Sequence, residues 1–382
     1  MRVCLLYDCL FPHTVGGAER WYRNLAERLA SDGHEVTYLT LRQWDADIDP
    51  GVRGVDVRGV GPWMQLYTRR GRRRIVPPLV FGLGVLWHLL RHGSRYDVVH
   101  TASFPYFSLL AAAAARPRGR YRLLVDWHEV WSRDYWREYL GSATGYIGWL
   151  VQLLCVNVPQ RAFCFSRLQA GRLRDEGYRG EIVILPGEYA GPLEPRPAIE
   201  SKHLVLFAGR HIPEKQVWAI PPAIALARRQ LPDLTAVLLG DGPERGRVVR
   251  TVSELGLEGV VTVPGFVSSE TVEELMADAL CMLLPSRREG YGMVVLEAAA
   301  RGTPSIVVAG PDNAAVELIE PGENGLIAPS ASADDLAAKI LEVHAAGQAM
   351  RGSTAAWFGR NASRMSLGHS LEVLLGAYQD MA

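Results

Sequence analysis

The feature that most limits this chain is an alternation that runs along its length. A short apolar run, a turn containing glycine and a segment with helical spacing follow one another again and again. Residues 2–7 read as a strand, 8–17 as a loop and 18–31 as a helix. On that helix Ala18, Trp21, Leu25 and Leu29 recur at the spacing of a sheet-facing stripe. Gly33 stops it, and residues 35–40 form the next strand. Strands follow at 96–100, 121–125, 162–166 and 182–185. The pattern restarts at 203–208 and continues through 234–239, 260–263, 279–284 and 305–309. Strands alternating with helices build parallel sheets covered on both faces. The expected fold is therefore α/β, with two Rossmann-like doubly wound domains. The expected boundaries are 1–190 for the first domain and 200–355 for the second, joined by the proline-containing segment 191–202. Helices over 356–382 complete the chain.

At 382 residues the chain is long for one domain and comfortable for two. Its 41 basic and 41 acidic side chains balance, so no global field steers it to nucleic acid. The five cysteines, Cys4, Cys9, Cys155, Cys164 and Cys281, form no CxxC pair. They read as reduced thiols of a cytoplasmic protein rather than a disulfide frame or a zinc site. Residues 1–10 lack the long apolar core of a signal peptide and read as a first buried strand. Only Lys202, Lys215 and Lys339 are lysines; every other basic side chain is arginine. A lysine that persists in such a chain is weighted toward a use for its compact charge.

The densest cluster of chemistry lies at 285–300. The apolar run 279–284 leads into a loop carrying Glu289, Gly290, Tyr291, Gly292 and Met293, and Val294 then opens a helix-forming run to Arg301 that ends at Gly302. A strand, a glycine loop and a helix start are the parts of a phosphate site, because the first N–H groups of a helix are free to face an anion. Glu297 lies eight positions beyond Glu289, about two helical turns. The two carboxylates are therefore placed to hold different parts of a long ligand; taken singly, each also suits a helix cap or a solvated face. A second constellation is Gly209-Arg210-His211-Ile212-Pro213-Glu214-Lys215-Gln216, with a planar fork of donors at Arg210 and a point charge at Lys215. Turns at Gly240-Asp241 and Gly265-Phe266-Val267 follow the next two strands, and Gly16-Gly17-Ala18-Glu19 opens the first helix. His128 falls just past a strand end, where α/β folds place ligands. His100 ends another strand, and Trp127, Trp131, Tyr135 and Trp136 cluster nearby, as packing or as a stacking surface. No Asp-x-Asp pair marks a strand end, so no metal is implied.

Together these motifs resemble the retaining glycosyltransferases of the GT-B fold, family 4. The resemblance implies two domains facing a cleft, with the last helix crossing back to the first. It implies that Glu289 holds donor-sugar hydroxyls, Glu297 the ribose, and the amides of Gly290, Tyr291, Gly292, Met293 and Val294 the diphosphate. Gly209, Arg210 and Lys215 would embrace that diphosphate, with Gly16 and Gly17 facing it. Gly240, Asp241, Gly265, Phe266 and Val267 would wall the nucleobase. Glu19 would face the acceptor, and His128 would approach the donor sugar and the reacting centre; His100, Trp127 and Trp131, with His128, are the further candidate acceptor contacts by their positions. His128, Arg210, Lys215 and Glu289 form the implied catalytic set. The implied reaction moves a sugar from a nucleoside diphosphate sugar, most commonly a UDP-sugar, to an acceptor hydroxyl with retention. The donor is a co-substrate, and no other cofactor or metal is expected. Two departures stand out: Gln216 replaces the family's usual glycine, and Pro186-Gly187-Glu188-Tyr189 replaces its Asn-Gly-x-Asp turn.

Other readings stay open. An epimerase shares the fold, and a non-catalytic sugar-nucleotide sensor would need a damaged donor site. A phosphorylase needs a cofactor lysine, which a chain with so few disfavours. The acceptor reads as a small natural product or aminoglycoside-like molecule. However, Arg69, Arg70, Arg72, Arg73 and Arg74 precede the apolar run 75–90, which Pro77, Pro78, Gly82 and Gly84 punctuate. That run is too short to span a bilayer. It is either a loop leading into a core helix or a basic amphipathic element, so a lipid-linked acceptor and peripheral membrane contact through 69–90 remain open.

Overall fold

The structure, a computed structural model, describes residues 1–379 except 15, 46–47, 67, 69–72, 195 and 197–198. Arg69, Arg70 and Arg72 of the basic run thus lie outside the described residues. The chain divides into two compact units. One comprises Met1–Thr68, Arg72–Leu185 and Leu371–Ala382; the other is built on Pro186–Ser370.

The first unit is a seven-stranded parallel sheet. Its strands are β1 (Arg2–Leu6), β2 (Glu35–Thr40), β3 (Val55–Gly59), β4 (Val98–Ala102), β5 (Arg122–Trp127), β6 (Arg161–Cys164) and β7 (Ile182–Ile184). The order across the sheet is β3-β2-β1-β4-β5-β6-β7. The chain runs outward from β1 to β3, then returns to the other side of β1, which creates a topological switch point between β1 and β4. Helices α1 (Gly17–Ser31), α2 (Val76–His92), α3 (Phe107–Gly119), α4 (Arg133–Leu140), α5 (Ser142–Val156) and α6 (Arg167–Asp175) belong to this unit.

On α1 the buried stripe is Glu19, Trp21, Tyr22, Leu25, Ala26 and Leu29, while Ala18 is only half-buried. The stripe expected from spacing was right for three positions and misplaced Ala18. The residues that seemed to break 75–90 do not break it. Pro77 and Pro78 sit in the first turn of α2, where a missing N–H costs no helical bond. A Cβ on Gly84 would lie 1.9 Å from the Val60 carbonyl oxygen, and one on Gly82 would lie 2.6 Å from Phe107 Cβ. These glycines let neighbours close on the helix. Helix α3 and strand β3 carry no signal singled out in the sequence, and α4 holds Tyr135 and Trp136 of the aromatic cluster.

The second unit holds a six-stranded parallel sheet of β8 (Leu204–Ala208), β9 (Thr235–Leu239), β10 (Val261–Gly265), β11 (Cys281–Leu284), β13 (Ser305–Val308) and β15 (Gly325–Ala328). The order is β10-β9-β8-β11-β13-β15, with its switch point between β8 and β11. Two short strands, β12 (Arg288–Glu289) and β14 (Asp312–Asn313), pair beside it. Helices α7 (Ile220–Ala227), α8 (Arg245–Glu254), α9 (Ser269–Asp278), α10 (Met293–Ala299) and α11 (Ala333–Asn361) complete the layers. Leu206, Met282 and Ala298 meet in a core shared by the sheet and α10. Helix α11 is interrupted at one residue, Gly347 at φ 53°. The last helix, α12 (Leu367–Gln379), gives its residues from Leu371 onward to the first unit.

Candidate functional site

In the second unit, the loops after β8 and β11 flank the switch point. The loop after β8 carries Gly209, Arg210 and His211, then a 3-10 turn over Pro213–Lys215. The loop after β11 carries Ser286 and leads to Glu289 in β12. Lys215 Nζ and Glu289 Oε1 form an ion pair, with the two side chains 21% and 9% exposed. Ser286 Oγ donates to the same Glu289 oxygen at 2.8 Å. Asn313 pins the loop from behind: its Nδ2 donates to Ser286 O at 3.0 Å and Val308 O at 2.8 Å, and its Oδ1 accepts from Ala315 N–H at 3.1 Å. Arg210 is exposed on the same loop as Lys215.

Gln216 holds φ 47°, ψ 36°, the left-handed region. A glycine there is free of the Cβ clash, which costs an L-residue about 1 kcal/mol. The departure noted in the sequence thus has a physical meaning. Gly292 caps α10 at φ 102°, and a Cβ there would lie 2.7 Å from Ala315 Cβ. Met293 and Val294 form the first turn of α10, where amides lack intrahelical acceptors, and Glu297 sits half-buried further along it. The amide of Gly240 donates to Gly265 O at 2.8 Å, so the turns after β9 and β10 are tied together beside β8. Asp241 is exposed, Val267 half-buried, and Phe266 is 75% exposed. Gly290 is half-buried, whereas Tyr291 is buried with its hydroxyl donating to Pro186 O at 3.0 Å.

His211, quoted in the motif without a role, is fully buried, with neither ring nitrogen bonded among the described residues. Burial holds its pKa below the ordinary value. Ser286 and Asn313 were also given no role from sequence. Their only signal was position, one three residues before Glu289 and the other at the end of the loop after β13.

The first unit treats the residues expected to meet an acceptor differently. His100 lies inside β4, wholly buried. Its Nε2 bonds Asp126 Oδ1 at 2.8 Å and its Nδ1 the Tyr378 hydroxyl at 2.7 Å. The expectation that it meets an acceptor is corrected: no ring atom is reachable. Trp127 is also corrected. It is wholly buried as the last residue of β5, and its Nε1 donates to Gln160 Oε1 at 3.0 Å. Asp126 accepts Trp21 Nε1 at 2.7 Å as well. Burial alone would raise the Asp126 carboxyl, but His100, His128 and the Trp21 indole outweigh it and hold it below the usual carboxylate value.

His128 is half-buried beyond β5 and stacked on Phe165 at 4.5 Å. Its Nε2 has no partner among the described residues. Burial, only partly offset by Asp126 and Glu129, lowers its pKa. Trp131 stays partly exposed and donates to Glu129 Oε2 at 2.9 Å. Trp136 is core, with its Nε1 donating to the buried Gln152 Oε1 at 3.2 Å. The Glu19 carboxylate folds back on Gly16, where a Cβ would lie 2.2 Å from Glu19 Oε2. Gly16 thus makes room for the acidic side chain in the first turn of α1, and Gly17 begins that helix. At the β1 end of the switch point the buried Asp8 pairs with Arg73 and keeps Oδ1 unbonded among the described residues. An aspartate directly following a strand was the available signal for it.

Two family descriptions match the chain: Glycosyltransferase Family 4 over residues 15–187 and Glycosyl transferases group 1 over residues 194–362. An uncharacterized glycosyltransferase of Methanocaldococcus jannaschii is 30% identical over 319 residues, covering 78% of this chain and 77% of that one. The alpha-D-kanosaminyltransferase of Streptomyces kanamyceticus is 34% identical over 137 residues, 36% of this chain, and the match spans 35% of that relative's length. Among solved structures, the sucrose-phosphate synthase of Thermosynechococcus elongatus superposes with a TM-score of 0.82 at 20% identity, covering 100% of this chain and 98% of that one. Anabaena HepE in complex with UDP superposes with a TM-score of 0.75 at 18% identity, covering 100% of both chains. Both structures share the fold.

Proposed function

For a chain that belongs to the glycosyltransferases of group 1 and family 4, we propose transfer of a sugar from a nucleoside diphosphate sugar to an acceptor hydroxyl, with retention at the anomeric carbon. The observation that carries this reading is the Lys215–Glu289 pair at the switch point of the second sheet. A cation suited to a diphosphate and a carboxylate suited to sugar hydroxyls stand in direct contact. A diphosphate and its attached sugar meet both at once. Arg210 adds a fork of donors from the same loop. As the glycosidic bond breaks, charge builds on the departing diphosphate, and Arg210 and Lys215 stabilise it. A diphosphate oxygen then takes the acceptor's proton on the face where the bond broke, which gives retention.

Glu297 holds the ribose, and the exposed ring of Phe266 offers a face to the base. Uracil is the favoured base, supported by the UDP bound to HepE. His128 has a lowered pKa and is uncharged near neutral pH, so it serves an acceptor hydroxyl through a hydrogen bond rather than a charge. The acceptor in this reading is a small polar natural product. Two cations do the work a metal would do, so activity should persist in EDTA. The deciding experiment incubates the chain with UDP-, GDP- and dTDP-sugars, with and without acceptors, and follows diphosphate release. Acceptor-dependent release that Glu289→Ala abolishes supports the reading. Donor conversion without acceptor identifies an epimerase, and binding without turnover identifies a sensor.

One observation favours a lipid-borne acceptor as a second reading. Leu79, Leu83, Trp87 and Leu90 form an exposed apolar stripe along α2, with Arg74 and Arg91 beside it. The Arg91 guanidinium lies 3.5 Å over the Trp87 ring. An apolar stripe edged by cations suits an anionic bilayer surface. No helix among the described residues is long and apolar enough to cross a membrane. Sedimentation with anionic vesicles that Leu83→Asp weakens would favour this acceptor class.

A further inference from the structure

The edge of a parallel sheet opposite its switch point is seldom used for ligands. The first unit nevertheless has a cavity of about 590 Å³ there. Arg2 opens β1, Asp97 immediately precedes β4, Arg122 opens β5, and Arg118 and Arg120 come from the end of α3. Arg2 is matched: it bonds Asp97 at 2.8 Å, with Glu35 also acting on it. Arg122 spends one N–H on the Tyr378 carbonyl at 3.1 Å, a neutral partner that leaves its charge uncompensated. Arg118 and Arg120 are exposed and have no counter-ion among the described residues. Four arginines less one aspartate leave the lining three charges positive.

Arg120 holds φ 59° as the cap of α3, a left-handed position that glycine or asparagine takes more easily. The end of a helix attracts cations through its dipole, which accounts for one of these side chains but not for their convergence on a cavity with Arg2 and Arg122. A space of this size holds a nucleotide-sized molecule. Tyr96 forms one wall, with its hydroxyl fixed by His88 Nε2 at 2.8 Å.

We propose that this cavity binds a ligand through a phosphate or diphosphate group, as a site additional to the donor site of the second unit. Arginine forks match phosphate oxygens in pairs, and three uncompensated guanidiniums suit a group with two or more negative charges. The occupant would share Arg122 with the Tyr378 carbonyl, so binding there bears on how the last helix is held.

The test is calorimetric titration of the full chain carrying Arg210→Ala and Lys215→Ala, which disables the second unit's grip, with inorganic pyrophosphate. Pyrophosphate binding should survive in that chain. Adding Arg118→Glu and Arg120→Glu should weaken it about tenfold or more, while Arg118→Lys with Arg120→Lys weakens it less. Both positions are exposed, and unchanged circular-dichroism melting confirms that the fold is intact. A second arm uses vesicles containing phosphatidic acid. Vesicle binding lost on the two glutamate substitutions, without any pyrophosphate binding, identifies the phosphate as a lipid headgroup and supports the site. If both pyrophosphate and vesicle binding ignore those substitutions, or neither occurs, the proposal is overturned.

Discussion

Both sheets reverse their strand order once, between β1 and β4 in the first unit and between β8 and β11 in the second. They differ in what lies along that side of each sheet. In the second unit Arg210 is exposed and Lys215 half-buried, and the Lys215–Glu289 pair joins two loops. In the first unit Asp8 is closed over by Arg73, while one strand further on His100 is locked between Asp126 and Tyr378. A charge that serves a ligand must stay reachable. A charge that serves the fold is enclosed with partners, because stranding it in the interior costs several kcal/mol. Under the proposed function, residue types alike in chemistry therefore do opposite jobs in the two halves, and burial separates them.

The hardest test of that contrast is His100→Ala. It strips a partner from the buried Asp126 carboxylate and from the Tyr378 hydroxyl. We expect a loss of about 3–5 kcal/mol in urea unfolding, with UDP affinity of the folded chain unchanged. Intact stability with lost transfer would place His100 at the site and dissolve the contrast. Lys215→Ala should show the reverse: kcat lower by about a hundredfold or more, with the melting temperature moved by only a few degrees. Parallel losses of both would break the comparison from the other side.

The third expectation concerns pH. Burial, and then neighbouring His92, lower the His88 pKa to about 4. Its folded value lies below the unfolded value, so the unfolded chain takes up the proton first as pH falls. Stability is full above pH ~6.5 and declines toward pH ~4, by up to about 3 kcal/mol. Urea midpoints across that range should flatten in His88→Gln; an unchanged slope would show that His88 is not the cause. His128 is shifted in the same direction and adds to the same decline. The smallest effect is Gln216→Gly, which should stabilise the second unit by about 1 kcal/mol by relieving its left-handed backbone, read as a rise in melting temperature without loss of donor affinity.

Much of the second unit was legible in the chain itself. Its turns follow apolar strands closely, and scarce lysine singled out Lys215. The first unit was legible as alternating strands and helices, and its candidate site only in part: His128 and Trp131 keep exposed surface, while His100 and Trp127 do not. His100 and Trp127 sit where a strand ends in sequence, yet register carries both inside the sheet. The partner that seals His100 comes from position 378, and no local pattern announces it. Nor could spacing show that Gly82 and Gly84 accommodate neighbours from distant segments rather than interrupt a helix.

Tyr378 has a further meaning for how the molecule is made. A ribosome delivers the first unit's seven strands by residue 184. Yet the hydroxyl that meets His100 arrives nearly two hundred residues later, after the whole second unit has been synthesised. The half that is synthesised first is therefore completed after the second, and while the second unit is being made its central strand waits with an imidazole nitrogen unanswered.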